Sequence, residues 1–433
     1  MSGADKSKDA QRHFLFLQGP LSPLYRRVGK ALWSAGHGVT RVNFCGGDWL
    51  HWHGAGTTAY RGRRSDWRAH VANLMERFDV SDLVVHGDTR PYHREAVLEA
   101  EGRGISVHVT ELGLLRPGFM THERGGLVTL SRFPDDPAEI REIASRADVP
   151  DLSPRYPGSF ALEAWQDVTY HLTNLATWPL FPRHERHTPQ HPLADYARWC
   201  VRLAGASARR RRALREQDEL LREQDPFFVF PLQVEGDYQI RSHSPFATMA
   251  EAVQHVIASF ACTAPERARL VVKTHPLDNG VRNWRVDVGK SARDLGVGER
   301  VSVLDGGELG ELLARAAGCV TVNSTAGFEA FLAGTPVNLL ASAVFDVEGV
   351  VDRQPLETFW HEPCPPDAEL VAALLRALAT TTQFRGTIHN PAGLEVAVEN
   401  LTKRLLRPAT PAPSWLCEPP PRLARARALG VPL

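Results

Sequence analysis

Two short polar stretches in the second half of the chain carry residue types suited to holding a phosphate. Lys273-Thr274-His275-Pro276 follows the apolar run RLVV, and Asn323-Ser324-Thr325 follows GCVTV and leads into AGFEAFLAG. Lys273 offers a cation, and His275 an imidazole able to donate to a phosphate or act as a general acid. Asn323 adds an amide, and Ser324 and Thr325 place a hydroxyl pair at a helix start. The exposed N–H groups and the dipole of a helix N-terminus favour an anion there. Each stretch also has a plainer reading. A Ser or Thr at a helix start is usually an N-cap worth ~1 kcal/mol. His-Pro after a strand is often only a turn, because proline holds the preceding residue extended. The phosphate reading gains weight because the two stretches are expected to end neighbouring strands of one sheet.

Four further clusters follow apolar runs. Gln233-Val234-Glu235 ends FFVFPLQ, and the strand period of two puts Gln233 and Glu235 on one face, as a polar strand exit or a ribose and base contact. Gln18-Gly19-Pro20 ends HFLFLQGP. Asp88-Thr89-Arg90 ends DLVVHGD. Glu111-Leu112-Gly113 ends ISVHVTELG, with Arg116 just beyond. An acid at a strand end is often a cap or an ion-pair partner. Two carboxylates and two arginines at sheet edges also fit chemistry on an anionic sugar. Arginine grips a carboxylate bidentately, and a carboxylate serves as nucleophile or base in glycosyl transfer.

The elements that position these groups alternate. Short apolar runs are separated by helical patterns such as LYRRVGKALWSAGH, closed by Gly36, and WRAHVANLMERF. This alternation predicts an α/β fold with parallel, doubly wound sheets, in which ligands sit beyond the carboxyl ends of the strands. Residues 1–150 read as one Rossmann-like domain and 151–226 as a helical insert. Residues 227–385 read as a second Rossmann-like domain and 386–433 as a proline-rich extension with helical turns. The length itself favours two domains.

Lysine plus arginine equals aspartate plus glutamate, 50 of each, which argues against coating nucleic acid. The six cysteines form no CxxC pair, as expected of a reducing compartment, and Cys262 and Cys319 read as small buried hydrophobes. The N-terminal MSGADKSKDAQRH carries no hydrophobic signal region. No apolar run approaches the ~20 residues that span a bilayer. A cytoplasmic protein is expected. The run Arg209 to Arg212 reads as a solvated helix face or as a contact to anionic lipid. His51-Trp52-His53 and His184-Glu185-Arg186-His187 lack metal-motif spacing, so no metal site is expected. Neither a Walker A loop nor GxGxxG is present, which disfavours an ATPase or a dehydrogenase.

Taken in order, FLQGP, FCGGDW, HGDTRPYH, ELGLLRP, LQVEGD, KTHPLD and VNSTAGFEAFLAGTPV resemble the bacterial capsule-polysaccharide synthesis proteins, retaining β-Kdo transferases that use CMP-Kdo. The resemblance covers roughly residues 13 to 385. It implies a GT-B-like architecture, two Rossmann-like domains facing a cleft, with CMP on the C-terminal one. His275 and Pro276 match the family's His-Pro donor motif, and Ser324 with Thr325 its phosphate-binding pair. Lys273, Asn323, Gln233 and Glu235 are expected to complete the donor site. Gln18, Gly19, Arg90 and Arg116 are expected on the sugar and acceptor side. The resemblance implies no cofactor beyond the CMP-Kdo substrate. It implies a phosphatidylglycerol-type lipid acceptor, an inner-membrane surface location, and other capsule assembly proteins as candidate partners. The chain looks closer to the single-domain initiating transferase than to the dual-domain extender. Where the extender typically reads Glu-Asp-Gly, with the aspartate as favoured nucleophile, this chain reads Glu111-Leu112-Gly113. Glu111 or Asp88 is left for that role.

Overall fold

The computed structural model describes residues 11–186, 191–235, 237–408 and 413–432. Six strands form in the first part: β1 (His13–Phe16), β2 (Gly38–Asn43), β3 (Thr57–Ala59), β4 (Asp82–His86), β5 (Ser106–Leu112) and β6 (Phe119–Arg124). Five more follow: β7 (Phe227–Pro231), β8 (Arg269–Lys273), β9 (Val301–Leu304), β10 (Gly318–Thr321) and β11 (Val337–Leu339). A last strand, β12 (Gln383–Arg385), returns to the first sheet.

The first sheet runs β12-β6-β5-β4-β1-β2-β3, and the second β11-β10-β7-β8-β9. The second sheet is parallel throughout; in the first, only β6 pairs antiparallel, with β5 and with β12. β4 and β7 are buried along their whole length, as expected of parallel strands covered on both faces. The expected α/β fold with two Rossmann-like units is therefore met.

Chain order reverses once in each sheet. In the first, β1 is flanked by β2 and β4; in the second, β7 is flanked by β8 and β10. These two crevices are topological switch points, where open α/β sheets bind ligands.

The domain boundaries differ from the sequence expectation. One compact unit gathers Met1–Leu127, Val149–His187 and Leu378–Leu416; the other gathers Val128–Asp148, Thr188–Ala377 and Cys417–Leu433. Segment 151–226 is not one insert. Helix Phe160–Thr177 packs on helix Gly46–His51 of the first unit, and helix Ala206–Arg222 meets β9 of the second. Leu378–Leu416 is part of the first unit, and Cys417–Leu433 part of the second. Leu394, Ala397, Leu401 and Leu405 share a core with Phe14, Phe16 and Val28. This apolar stripe of helix Pro391–Leu406 covers helix Leu24–Ser34, leaving no separate extension.

One smaller expectation is corrected, and the arginine run is the exposed helix face expected of it. Cys319 is buried, but Cys262 is exposed, because it lies on the solvent side of helix Met249–Thr263. In the arginine run, Arg209 pairs with Asp305 (3.6 Å), Arg210 with Glu308 (3.4 Å) and Arg212 with Glu216 (2.8 Å). Most of that charge is answered within the protein. No described helix is long and apolar enough to cross a membrane.

Candidate functional site

At the first switch point, Gln18 follows β1, and Asp88 and Arg90 follow β4. Gln18 is buried and fully engaged. Its Oε1 accepts from Arg90 Nη1 (3.1 Å), and its Nε2 donates to Asp48 Oδ1 (3.1 Å) and Tyr170 Oη (2.6 Å). Asp48 in turn accepts from the Phe44 N–H (2.8 Å) and lies 3.6 Å from the buried Arg41. Gly19 is needed where it stands, since a Cβ there would come within 2.8 Å of the Tyr25 ring. Gly46 and Gly47 let helix Phe160–Thr177 approach, because side chains there would strike Thr177 and Tyr170. Thus Gln18 acts as a brace that aims Arg90, and Arg90 remains half-buried at the start of helix Pro91–Gly102.

The two candidate carboxylates occupy different environments. Asp88 is 4 % exposed, and its Oδ2 accepts from the Leu127 N–H (2.8 Å). Burial raises its pKa to about 6 despite that bond. Glu111 is one-third exposed and lies on β5, beside β4. Its Oε1 accepts from the Leu112 N–H (2.9 Å) and stands 3.6 Å from His86 Nε2. Burial lowers the His86 pKa to about 4, so its ring is neutral at pH 7. His86 Nδ1 meets Thr110 Oγ1 (3.1 Å), which meets Tyr25 Oη (2.7 Å). With Tyr25 donating to Thr110, the single Thr110 proton lies between His86 Nδ1 (3.1 Å) and the Val85 carbonyl (3.4 Å); given to the nearer Nδ1, it leaves the Nε2–H facing Glu111. Arg116 does not join this group by any bond seen; it folds on its own loop, Nε donating to the Gly113 carbonyl (2.9 Å).

At the second switch point, Gln233 and Asn323 meet. Gln233 Nε2 donates to Asn323 Oδ1 (3.0 Å), the Asn323 N–H points to Gln233 Oε1 (3.4 Å), and Asn323 Nδ2 donates to the Gln239 carbonyl (3.1 Å). Ser324 is the N-cap of helix Thr325–Leu332, its Oγ accepting from the Ala326 N–H (3.2 Å). Ser324 and Thr325 stay half-buried, and Gly327 seats the helix on β10, where a Cβ would stand 3.0 Å from Thr321. Gly334, at φ 78°, closes the helix.

Three expectations about this sheet change. The stretches at Lys273 and Asn323 do not end neighbouring strands, because β7 lies between β8 and β10. Lys273 is 4 % exposed and its Nζ donates to the Gly306 carbonyl (2.8 Å), on the β9 side. Burial lowers its pKa, with Glu308 and Asp305 pulling the other way. It ties β8 to the loop after β9 instead of standing in the β7–β10 crevice. Gln233 and Glu235 do not share a strand face either: β7 ends at Pro231, and Glu235 turns to Arg282 (3.4 Å) while Gln233 meets Asn323. His275 is half-buried at the β8 exit beside the exposed Pro276, its Nδ1 accepting from the Leu277 N–H (3.0 Å), which puts the ring proton on Nε2.

Sequence reasoning missed Tyr170, Arg41, Tyr25 and His86, and passed over Asp48 as a chemical group. Asp48 carried a signal, since GGD follows an apolar run. Tyr170 carried none, because it sits 152 residues from Gln18 on a helix assigned elsewhere.

Residues 81–389 match the model of the capsule polysaccharide biosynthesis protein family. The chain belongs to that family. Among capsule proteins, it is 30 % identical over 381 residues to the capsule polysaccharide export protein KpsS of Escherichia coli, covering 87 % of this chain and 97 % of that one. The capsule polysaccharide modification protein LipB of Neisseria meningitidis serogroup A is 27 % identical over 395 residues, covering 88 % and 93 %. The solved β-Kdo 2,7 transferase KpsC of Thermosulfurimonas dismutans aligns over 91 % of this chain and 100 % of its own, with a TM-score of 0.45 and 18 % identity.

Proposed function

We propose that this capsule-family chain is a glycosyltransferase that moves Kdo from CMP-Kdo to a phosphatidylglycerol-type lipid acceptor with retained configuration, working at the inner-membrane surface. The observation that carries the reading is the first switch point. It combines an accessible carboxylate beside a neutral imidazole, a buried carboxyl raised to about 6, and a braced guanidinium. Perturbed groups gathered at a ligand crevice are what catalysis needs and a scaffold does not.

Glu111 takes the nucleophile's role in this reading. Its oxygen bonds to the anomeric carbon as the bond to CMP breaks; the acceptor hydroxyl then displaces it, its proton passing to solvent water and Glu111 returning as a carboxylate. His86, neutral, steadies Glu111 without adding charge. Asp88, spent on the Leu127 N–H, positions the loop and does not attack. Arg90 holds the sugar carboxylate, with Arg116 beyond it. In the second unit, Gln233 and Asn323 contact the nucleotide, and Ser324, Thr325 and His275 donate to its phosphate, stabilising the departing CMP.

The test is to incubate pure protein with CMP-Kdo and a short-chain phosphatidylglycerol analogue. CMP release and a Kdo-bearing lipid in the mass spectrum are expected. Capsule polymer binding without turnover of any CMP-sugar would show an export or scaffold component instead. Competition by CMP-sialic acid would move the donor to another nonulosonic acid.

A further inference from the structure

A second group of cations stands on the same edge of the first sheet as Gln18 and Arg90, displaced toward β3. The chain leaves β3 through Tyr60 and turns at Arg63-Arg64-Ser65; the segment Pro182 to Glu185 lies opposite, and the two line an open cleft of about 480 Å³. Arg63 and Arg183 are exposed and have no acid partner among the described residues. Arg64 is shared loosely between Glu95 (3.6 Å) and Glu185 (3.5 Å). Nearby, Arg61 lies over the Phe181 ring (5.7 Å), and Asp66 is engaged by Ser65 Oγ (2.8 Å). Guanidinium charge thus exceeds carboxylate charge around a concave space.

The cleft is joined to the candidate active centre. Tyr92, two residues beyond Arg90, receives the Glu185 N–H on its hydroxyl (3.4 Å), and its ring stacks on His184 (6.3 Å between centroids). His184 is held neutral by burial, so it walls the cleft and the arginines charge it.

We propose that this cleft is an anion subsite, in which Arg63, Arg64 and Arg183 grip the phosphate ester of the acceptor while its hydroxyl reaches the first switch point. The inference rests on the transferase reading for the word acceptor, but not for the binding itself. Planar guanidiniums suit a phosphate ester bidentately, and a lipid headgroup and a soluble glycerol phosphate present the same chemistry.

The test separates these sources and needs no turnover. Binding of sn-glycerol 3-phosphate, of glucuronate, and of phosphatidylglycerol vesicles against phosphatidylcholine vesicles is measured on the full chain and on Arg63→Gln/Arg183→Gln. At least one phosphate ester probe should bind, and the double variant should weaken it about ten-fold or more, with salt doing the same to wild type. Arg183→Lys should recover part of the loss. A soluble phosphate response stronger than the glucuronate one supports the subsite, phosphatidylglycerol vesicle binding without a soluble phosphate response places that phosphate on a lipid, and glucuronate binding alone overturns it. Unchanged binding in the double variant, with an unchanged melting curve, overturns the subsite. Probe binding here without CMP-Kdo turnover leaves the subsite standing and removes the transferase. Turnover with an unchanged acceptor KM in the double variant does the opposite.

Discussion

The two switch points share a topology and differ in chemistry. The first holds two ionisable groups whose protonation is bent by burial, Asp88 raised to about 6 and His86 lowered to about 4, with the Glu111 carboxylate 3.6 Å from His86 on the neighbouring strand. The second is neutral where the strands part. An amide pair, Gln233 and Asn323, spans the crevice, and a capping hydroxyl opens the next helix. Neutral donors and acceptors recognise without reacting, whereas perturbed acids and bases are suited to react. Under the proposed transferase reading, bond-making falls to the first unit and nucleotide recognition to the second.

The sharpest way to break that division is Glu111→Gln. Turnover should fall on the order of a thousand-fold or more while CMP affinity stays level, read by single-turnover assay and calorimetry. An active variant would move the chemistry away from this carboxylate.

Asn323→Leu should do the reverse. It leaves Gln233 buried without its partner, so about 1–3 kcal/mol of stability is lost, and CMP binding should weaken. Loss of stability with CMP affinity intact would make the amide pair structural only.

Asp88→Asn probes the first crevice through pH. The folded carboxyl takes its proton near 6 and the unfolded one near its ordinary 3.8, so the folded state holds the extra proton between them. Stability from this group is therefore present at low pH and declines as pH rises through that window. The amide keeps an acceptor for the Leu127 N–H and does not titrate. The variant should gain on wild type by about 2–3 kcal/mol between pH 4 and pH 7, seen in denaturant midpoints. A parallel pH dependence in both proteins would refute the raised carboxyl.

The smallest effects separate Ser324 from Lys273. Ser324→Ala should cost ~1 kcal/mol as a lost cap and also reduce CMP affinity. Lys273→Met should change CMP affinity by less than about two-fold, because its ammonium is committed to the Gly306 carbonyl. A larger loss would return Lys273 to the donor site.

Much of this was legible in the sequence. Runs such as DLVVH and RLVVK, alternating with helical patterns, dictated parallel strands, because a strand buried on both faces must be apolar throughout. Polar residues at the run ends marked the carboxyl edges, and Gln18, Asp88, Arg90, Glu111, Gln233 and Asn323 all stand there. Strand order was not legible. Spacing along the chain cannot say that β7 separates β8 from β10, and that fact removed Lys273 from the phosphate crevice. Nor could it give the partners that decide each group's role. Tyr170 reaches Gln18 across 152 positions, and Leu127 claims Asp88 from 39 away.

By itself, then, the sequence determined which residue types close each strand, since local burial and turn chemistry are written in neighbouring residues. Only the tertiary structure decided which of them face a shared crevice and which are consumed as braces. Desolvation and hydrogen bonding depend on groups brought from distant parts of the chain, and those set the difference between Asp88 and Glu111.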